Sequence, residues 1–199
     1  MTDTPSRPAI VIINGSVRAG NYTAMASALV ADEFRRDGGF PVEVIDPGSL
    51  DLPLPGHRPR GDSARRLEEA VRAAAAVVLV TPEYHGSFSS VMKLVIENLG
   101  FPSALAGKPV GLVGVAAGAI GAIKSLEQLR SVCSHVGALT LPLPVSVAFV
   151  QKVFSADGRC LDPAVEKRLR GAATQVLNYL RGHVCPAIQL EQILREGAA

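Results

Sequence analysis

The run Asn14-Gly15-Ser16-Val17-Arg18-Ala19-Gly20-Asn21-Tyr22-Thr23 gathers small residues, hydroxyls, an amide and a guanidinium into one short segment. It follows an apolar stretch and opens a segment of helical periodicity. A strand-to-helix loop of this kind turns successive backbone N–H groups toward one point, where the helix N-terminus favours negative charge. Arg18 adds a charge-assisted fork suited to phosphate oxygens. The run lacks the Gly-Lys-Ser/Thr ending of a Walker A loop and the Gly-x-Gly-x-x-Gly of dinucleotide folds. Anion binding, with phosphate foremost, is the chemistry it offers; the plainer alternative is an ordinary turn rich in small residues.

Two further segments stand at equivalent places. Thr81-Pro82-Glu83-Tyr84-His85-Gly86-Ser87 follows another apolar run. Tyr84 offers a flat face, and exposed backbone N–H groups there suit the rim of a planar ligand. For Glu83 and His85 taken singly, simple solvation is the alternative. Ala116-Ala117-Gly118-Ala119-Ile120-Gly121-Ala122 is built of small residues that let backbone approach a ligand, or a helix approach a sheet, closely. A phosphorelay receiver would carry an aspartate at the end of its third strand and an acidic pair after its first. Thr81 and Asn14-Gly15 occupy those positions, which argues against signalling of that type.

The elements around these loops alternate. Continuous apolar runs at 9–13, 41–45, 77–81, 110–115 and 138–147 read as strands covered on both faces. Pro82 is expected to end the third. Pro142 and Pro144 place the fifth at a sheet edge, where a missing N–H costs little. Helical patterns fill 22–36, 62–75, 88–99, 120–135 and 162–181, with Gly38-Gly39 stopping the first and Asp162-Pro163 opening the last. Residues 47–61 form a Pro-rich loop, and the tail beyond Pro186 has apolar residues for another turn or two of helix. Alternating strands and helices imply an α/β three-layer sandwich with a five-stranded parallel sheet in the order 2-1-3-4-5. Ligands of such sheets bind beyond the carboxyl ends of the strands, where the three loops converge. No repeat, linker or charge run divides the chain, so residues 1–199 read as one domain with a tail from about 184.

The chain has 199 residues, 48% hydrophobic and 19% charged, with a formal charge of +2. Such a composition buries a core and is not that of a disordered chain. The balance provides no basic footprint for nucleic acid. The longest apolar run, 73–80, falls well short of the about 20 residues needed to span a bilayer, and residues 1–8 show no secretory leader. Cys133, Cys160 and Cys185 are widely spaced, arguing against disulfides and metal sites and for a reducing cytoplasm. His57, His135 and His183 have no partner pattern.

Over residues 9–145 the chain resembles the NADPH-dependent FMN reductase family, a flavodoxin-like group that includes chromate, quinone and azo-dye reductases. Residues 15–23 look like its Gly-Ser-x-Arg-x-x-Ser-x-Asn loop. Residues 81–87, with Met92-Lys93 and Ile96-Glu97, are similar to its Thr-Pro-Glu-Tyr-Asn-x-Ser … Leu-Lys-x-x-Ile-Asp signature. The resemblance implies FMN, with its phosphate among Ser16, Arg18, Asn21, Tyr22 and Thr23. The ring would lie along Pro82, Glu83, Tyr84, His85, Gly86 and Ser87, with Gly118 closing the far side. Asn21 and Thr23 stand where the family has Ser and Asn, His85 replaces its usual Asn, and Gly118-Ala119-Ile120-Gly121-Ala122 narrows its Gly-Gly-x-Gly-Gly loop.

The implied activity is hydride transfer from NADPH or NADH to FMN and onward to a small acceptor: a quinone, azo compound, metal oxyanion or free flavin. No side chain is required as catalyst, and no metal is expected. Arg58 and Arg60 are candidates for the dinucleotide phosphates, with solvated loop charges as the alternative. The wide apolar arc of the 88–99 helix (Phe88, Val91, Met92, Leu94, Val95, Ile96, Leu99) points to a homodimer or homotetramer. The other functional classes are a flavodoxin-like electron carrier, which the charge of +2 disfavours, and a flavin-sensing protein without turnover.

Overall fold

The computed structural model describes residues 8–196; the reading of residues 1–7 falls outside them. The strands are β1 (Ile10–Asn14), β2 (Val42–Ile45), β3 (Ala76–Tyr84), β4 (Ser87–Phe88), β5 (Pro109–Val115), β6 (Leu139–Thr140) and β7 (Val145–Val147). The helices are α1 (Tyr22–Asp37), α2 (Asp62–Ala73), α3 (Ser90–Glu97), α4 (Ile123–His135), α5 (Val150–Val153), α6 (Pro163–Tyr179) and α7 (Cys185–Glu196).

The sheet runs β2-β1-β3-β5-β6, with β7 also on β5; every pairing is parallel except the small hairpin of β3 with β4. This is the 2-1-3-4-5 order, its fifth position shared by two short strands. The expected strand over 138–147 is broken because Pro142 and Pro144 have no N–H to give the ladder, and Leu143 between them takes a positive φ of 55°.

Alternation along the strands supplies two cores. Ile10, Ile12, Val78, Val80 and Val113 face α1 and α6, where Phe34, Leu169 and Val176 meet them. Val11, Ile13, Val77, Leu79 and Leu112 face α2, α3 and α4, against Leu67, Met92, Leu99 and Leu129. Each such fully buried side chain contributes about 1.5–3 kcal/mol relative to exposure. Cys133 belongs to the second core, and burial pushes its thiol up to about 12. Gly114 lets α4 lie close on the sheet: a Cβ there would stand 2.6 Å from that of Ala122.

Several boundaries differ from expectation for local reasons. β3 runs through Pro82, which sits opposite Val115, because β4 turns back and pairs with Glu83 and Tyr84. The helix expected over 88–99 therefore starts later, at Ser90, with the Ser89 hydroxyl accepting from the Met92 N–H at 3.0 Å. α4 starts at Ile123 rather than 120 because Gly121, at φ 71°, bends the chain first. The tail is a full helix, α7, reached from α6 through a π-helical turn, Leu180–Val184.

The apolar arc of α3 is largely consumed within the protomer. Met92, Val95, Ile96 and Leu99 are buried in the second core. Phe88, Val91 and Leu94 remain half-buried, and Phe101 stands fully exposed just beyond the helix.

Candidate functional site

Parallel pairing brings the ends of β1, β3 and β5 to one edge of the sheet, and with them the three loops. In the first, Asn21 caps α1, its Oδ1 accepting from the Ala24 N–H at 2.7 Å. Its Nδ2 donates to the carbonyls of Arg18 (2.7 Å) and Ser16 (3.4 Å). The Asn21 side chain is thus spent on shaping the loop. The first N–H groups of α1, at Tyr22 and Thr23, have no intrahelical acceptor, and no acidic residue stands in the first turn. Ser16 and Thr23 are buried, while Arg18 is exposed and forms no ion pair among the described residues. The Tyr22 ring stacks on Phe154, centroids 6.4 Å apart, forming a wall. At the base of the loop Asn14 donates from Nδ2 to the Ser16 carbonyl at 3.0 Å; its buried Oδ1 has no donor among the described residues.

The second loop is a hairpin turn. His85 and Gly86 both have positive φ (52° and 77°), the signature of a type I′ turn between Tyr84 and its partner Ser87. Gly adopts this freely, whereas a histidine there carries strain. Tyr84 and His85 are exposed and Pro82 is buried. Glu83 is half-buried and accepts from the Ser125 N–H at 3.4 Å, serving the N-terminus of α4, whose own N-cap Ala122 offers no side chain for the purpose. Ser87 donates its hydroxyl proton to Gln128 Oε1 at 2.7 Å, and Gln128 Nε2 donates to the Gly86 carbonyl at 3.0 Å.

In the third loop Gly118 is exposed, with open space where a Cβ would lie. Its carbonyl accepts from Gly121 at 3.2 Å and from Phe149 at 3.3 Å. The Ala122 N–H donates to Ser146 Oγ at 2.9 Å, which ties this loop to β7.

A buried junction joins the first two loops. The Gly15 N–H donates to the Val80 carbonyl at 2.7 Å, and the Gly15 carbonyl accepts from the Ser89 hydroxyl at 2.6 Å. The Ser89 N–H donates to Thr81 Oγ1 at 3.2 Å. Any Cβ on Gly15 would stand 2.8 Å from the Val80 carbonyl oxygen, so only glycine fits.

Arg58 and Arg60 are each engaged by a carboxylate. Arg58 pairs with Asp51, and the Arg60 guanidinium donates to Glu68 at 2.5 Å and to the Asn98 carbonyl at 2.6 Å, pinning the Pro-rich loop to α2 and α3. Arg72 and Arg60 hold the Glu68 carboxyl below its ordinary range. A groove of about 920 Å³ lies elsewhere, between α6 and residues 143–146. It contains none of the three loops, and its Arg170 is already engaged by Asp32, Glu33 and Glu166.

Ser89, Gln128 and Ser146 escaped the sequence reading, and Asn14 stood in the first loop without a role of its own. Ser89 carried a signal, a serine just ahead of an apolar helical run. Gln128 and Ser146 act across the fold, and nothing local marks them. Ser89→Ala removes a helix cap and strands the buried Gly15 carbonyl, which costs about 1–3 kcal/mol; urea unfolding monitored by circular dichroism measures the loss.

The family model for NADPH-dependent FMN reductases matches residues 8–152. An NADPH azoreductase of Bacillus sp. (strain OY1-2) is 33% identical over 139 residues, 68% of this chain and 74% of that protein. Among solved structures, FerB of Paracoccus denitrificans, a flavoenzyme NAD(P)H:(acceptor) oxidoreductase, superposes with a TM-score of 0.71 at 23% identity, covering 89% of this chain and 98% of that one. A Streptococcus pneumoniae flavodoxin superposes at 0.57 with 20% identity, over 85% and 97% of the two chains, which gives the fold its flavodoxin-like class. On the extent of the family match and the identity to its relatives, the chain belongs to the NADPH-dependent FMN reductase family.

Proposed function

We propose that the crevice formed by the three loops holds FMN, and that this chain works as one domain passing electrons from NAD(P)H through that flavin to a small acceptor. Among acceptors, azo compounds and quinones come first, with metal oxyanions and free flavin beside them. The reading rests on one observation above all. The buried Gly15–Ser89 junction fixes an anion-binding loop beside an exposed turn suited to a planar group.

The residues present fit the cofactor. Its phosphate carries close to two negative charges; Arg18, Ser16, the Tyr22 and Thr23 N–H groups and the positive end of α1 are the donors assigned to it. Thr23 contributes from within the first turn, and Asn21 holds the loop in shape. The ribityl chain is rich in hydroxyl donors, and Asn14 Oδ1 is an acceptor without one. The ring is assigned to Pro82, Glu83, Tyr84, His85, Gly86 and Ser87 on one side and Gly118 on the other. When bound, FMN supplies the hydride acceptance and electron delivery itself. The chain would bind and orient it, and backbone N–H groups of the 84–87 turn would offer donors to negative charge on the ring. No side chain is assigned as a nucleophile or obligatory base.

Unpaired thiols at Cys133, Cys160 and Cys185 support a reducing, cytoplasmic setting. No helix among the described residues is long and apolar enough to cross a membrane. We assign self-association to the α3 face. Fully exposed Phe101 borders a groove of about 790 Å³ that Ile96, Pro102, Val132 and Val136 help to line, so one surface carries both an aromatic knob and an apolar hole. A two-fold interface needs that self-complementarity.

The purified protein is expected to bind one FMN, turn yellow and bleach with NADPH or NADH without a partner protein. Arg18→Ala should raise the Kd for FMN roughly tenfold or more, the loss of one charge-assisted contact. A wild-type protein that neither colours nor gains thermal stability with excess FMN overturns the proposal, and bleaching only in the presence of a partner protein favours an electron carrier. In sedimentation velocity the wild type should run as a dimer or tetramer and Phe101→Glu as a smaller species; a monomeric wild type at tens of micromolar contradicts the interface.

A further inference from the structure

Three features converge on the first turns of α4. The Gln128 side chain holds the hairpin turn at two points, its Oε1 accepting from the Ser87 hydroxyl and its Nε2 donating to the Gly86 carbonyl. One turn earlier, Glu83 takes the Ser125 N–H. Between them the Lys124 stem lies close to Gly86: a Cβ on that glycine would meet Lys124 Cδ at 3.7 Å. Lys124 makes no ion pair among the described residues.

The turn needs such support. His85 is held at φ 52° and Gly86 at φ 77°. A side chain other than Gly or Asn pays for that conformation and persists in it only when its surroundings impose it. The hairpin cannot impose it alone: β4 is two residues long and pairs only Glu83 with Phe88 and Tyr84 with Ser87. Gln128 grips the two residues that follow His85, on the side of the turn that faces α4. Its bond to the Gly86 carbonyl orients the Gly86–Ser87 peptide, and its bond to the Ser87 hydroxyl holds the next side chain against α4.

We infer that Gln128 is a positioning residue for the flavin ring, acting through the His85–Gly86 turn without touching the cofactor. This deepens the reading of residues 82–87 as the ring site and rests on it. With the clamp in place the turn presents its N–H groups in one orientation, and negative charge arriving at the ring on reduction meets preorganised donors. Without it the turn relaxes toward unstrained φ values, and the donors no longer converge. The reduced cofactor loses more than the oxidised one, because charge accumulates only on reduction.

The test uses the full-length protein with FMN as the probe. Kd for oxidised FMN, the midpoint potential of the bound flavin and the melting temperature without flavin are measured for the wild type, Gln128→Ala, Gln128→Glu, Ser87→Ala and the double variant Ser87→Ala/Gln128→Ala. Gln128 is exposed on its helix and alanine favours helix, so Gln128→Ala should melt within a few degrees of the wild type. The inference expects Gln128→Ala to bind reduced FMN about tenfold more weakly relative to oxidised FMN, which lowers the two-electron potential by about 30 mV. Gln128→Glu keeps an acceptor for Ser87 but sets a carboxylate oxygen against the Gly86 carbonyl and adds a negative charge beside the turn, so its potential should fall at least as far as that of Gln128→Ala. Ser87→Ala should have little further effect when Gln128 is already gone, since both act through one contact. A potential and an affinity both within twofold-equivalent limits of the wild type in Gln128→Ala overturn the inference. A wild type that binds no FMN overturns the ring-site reading instead.

Discussion

The geometry of the whole crevice hangs on the two bonds that Gly15 makes with its backbone. Its N–H closes onto Val80 and its carbonyl takes the Ser89 hydroxyl, at 2.7 and 2.6 Å. Ser89 in turn caps α3 and is anchored by Thr81, and Ser89 and Thr81 are both almost fully buried. The end of β1, the end of β3 and the start of α3 are therefore locked together by short, shielded bonds rather than by long side chains. Such bonds are expensive to leave unmade in a dry interior, where an orphaned carbonyl or hydroxyl costs more than the pair gains. A ligand with an anionic group at one end and a flat group at the other needs two subsites at a constant separation. This junction keeps that separation constant.

The outer wall of the crevice is organised by α4. Gly114 allows the helix to sit directly on β5, and from there its first turns reach both neighbouring loops: Ala122 to Ser146, Ser125 to Glu83, Gln128 to Gly86 and Ser87. The second and third loops are in this way referenced to one rigid body. The first loop is referenced to α1 through the Asn21 cap, and the Gly15 junction connects the two systems. Strain at His85 is held in an exposed turn that is braced from α4.

The α/β class and all three loops were legible in the sequence because each rests on a local signal, and the strand order followed as the common one for such alternation. The apolar runs of buried parallel strands differ in kind from the helical periodicity of Tyr22 to Arg36, and the Gly38 stop is realised as a left-handed cap donating to the Phe34 carbonyl at 3.2 Å. Boundaries failed where a tertiary partner outweighed a local rule. Pro82 did not end β3 because a returning strand pairs just beyond it. The arc on α3 looked too wide for one sheet face, yet Met92, Val95, Ile96 and Leu99 are all buried in the core that residues of the sheet, α2 and α4 share. Arg60 looked like a loop charge and is instead a tether, since Glu68 and the Asn98 carbonyl lie 8 and 38 residues away along the chain. The residues that shape the site without lining it, Ser89 and Gln128, depend on contacts 74 and 41 residues distant, which no periodicity encodes.

The near-neutral total charge conceals a sorting of cations. Arg58, Arg60, Arg65, Arg72, Arg170 and Arg181 are each bound to a carboxylate, whereas Arg18, like Arg35, Arg66, Arg130, Arg159 and Arg168, makes no ion pair among the described residues and faces solvent just ahead of α1. The central claim is that a single flavin spans from this loop to the 82–87 turn. Amide hydrogen–deuterium exchange with and without saturating FMN tests it most directly. Protection should appear in residues 16–23 and 82–87 together, with a smaller change at 117–121, and the groove beside α6 should be unaffected. Protection confined to one loop, or centred on residues 163–178, would contradict the account.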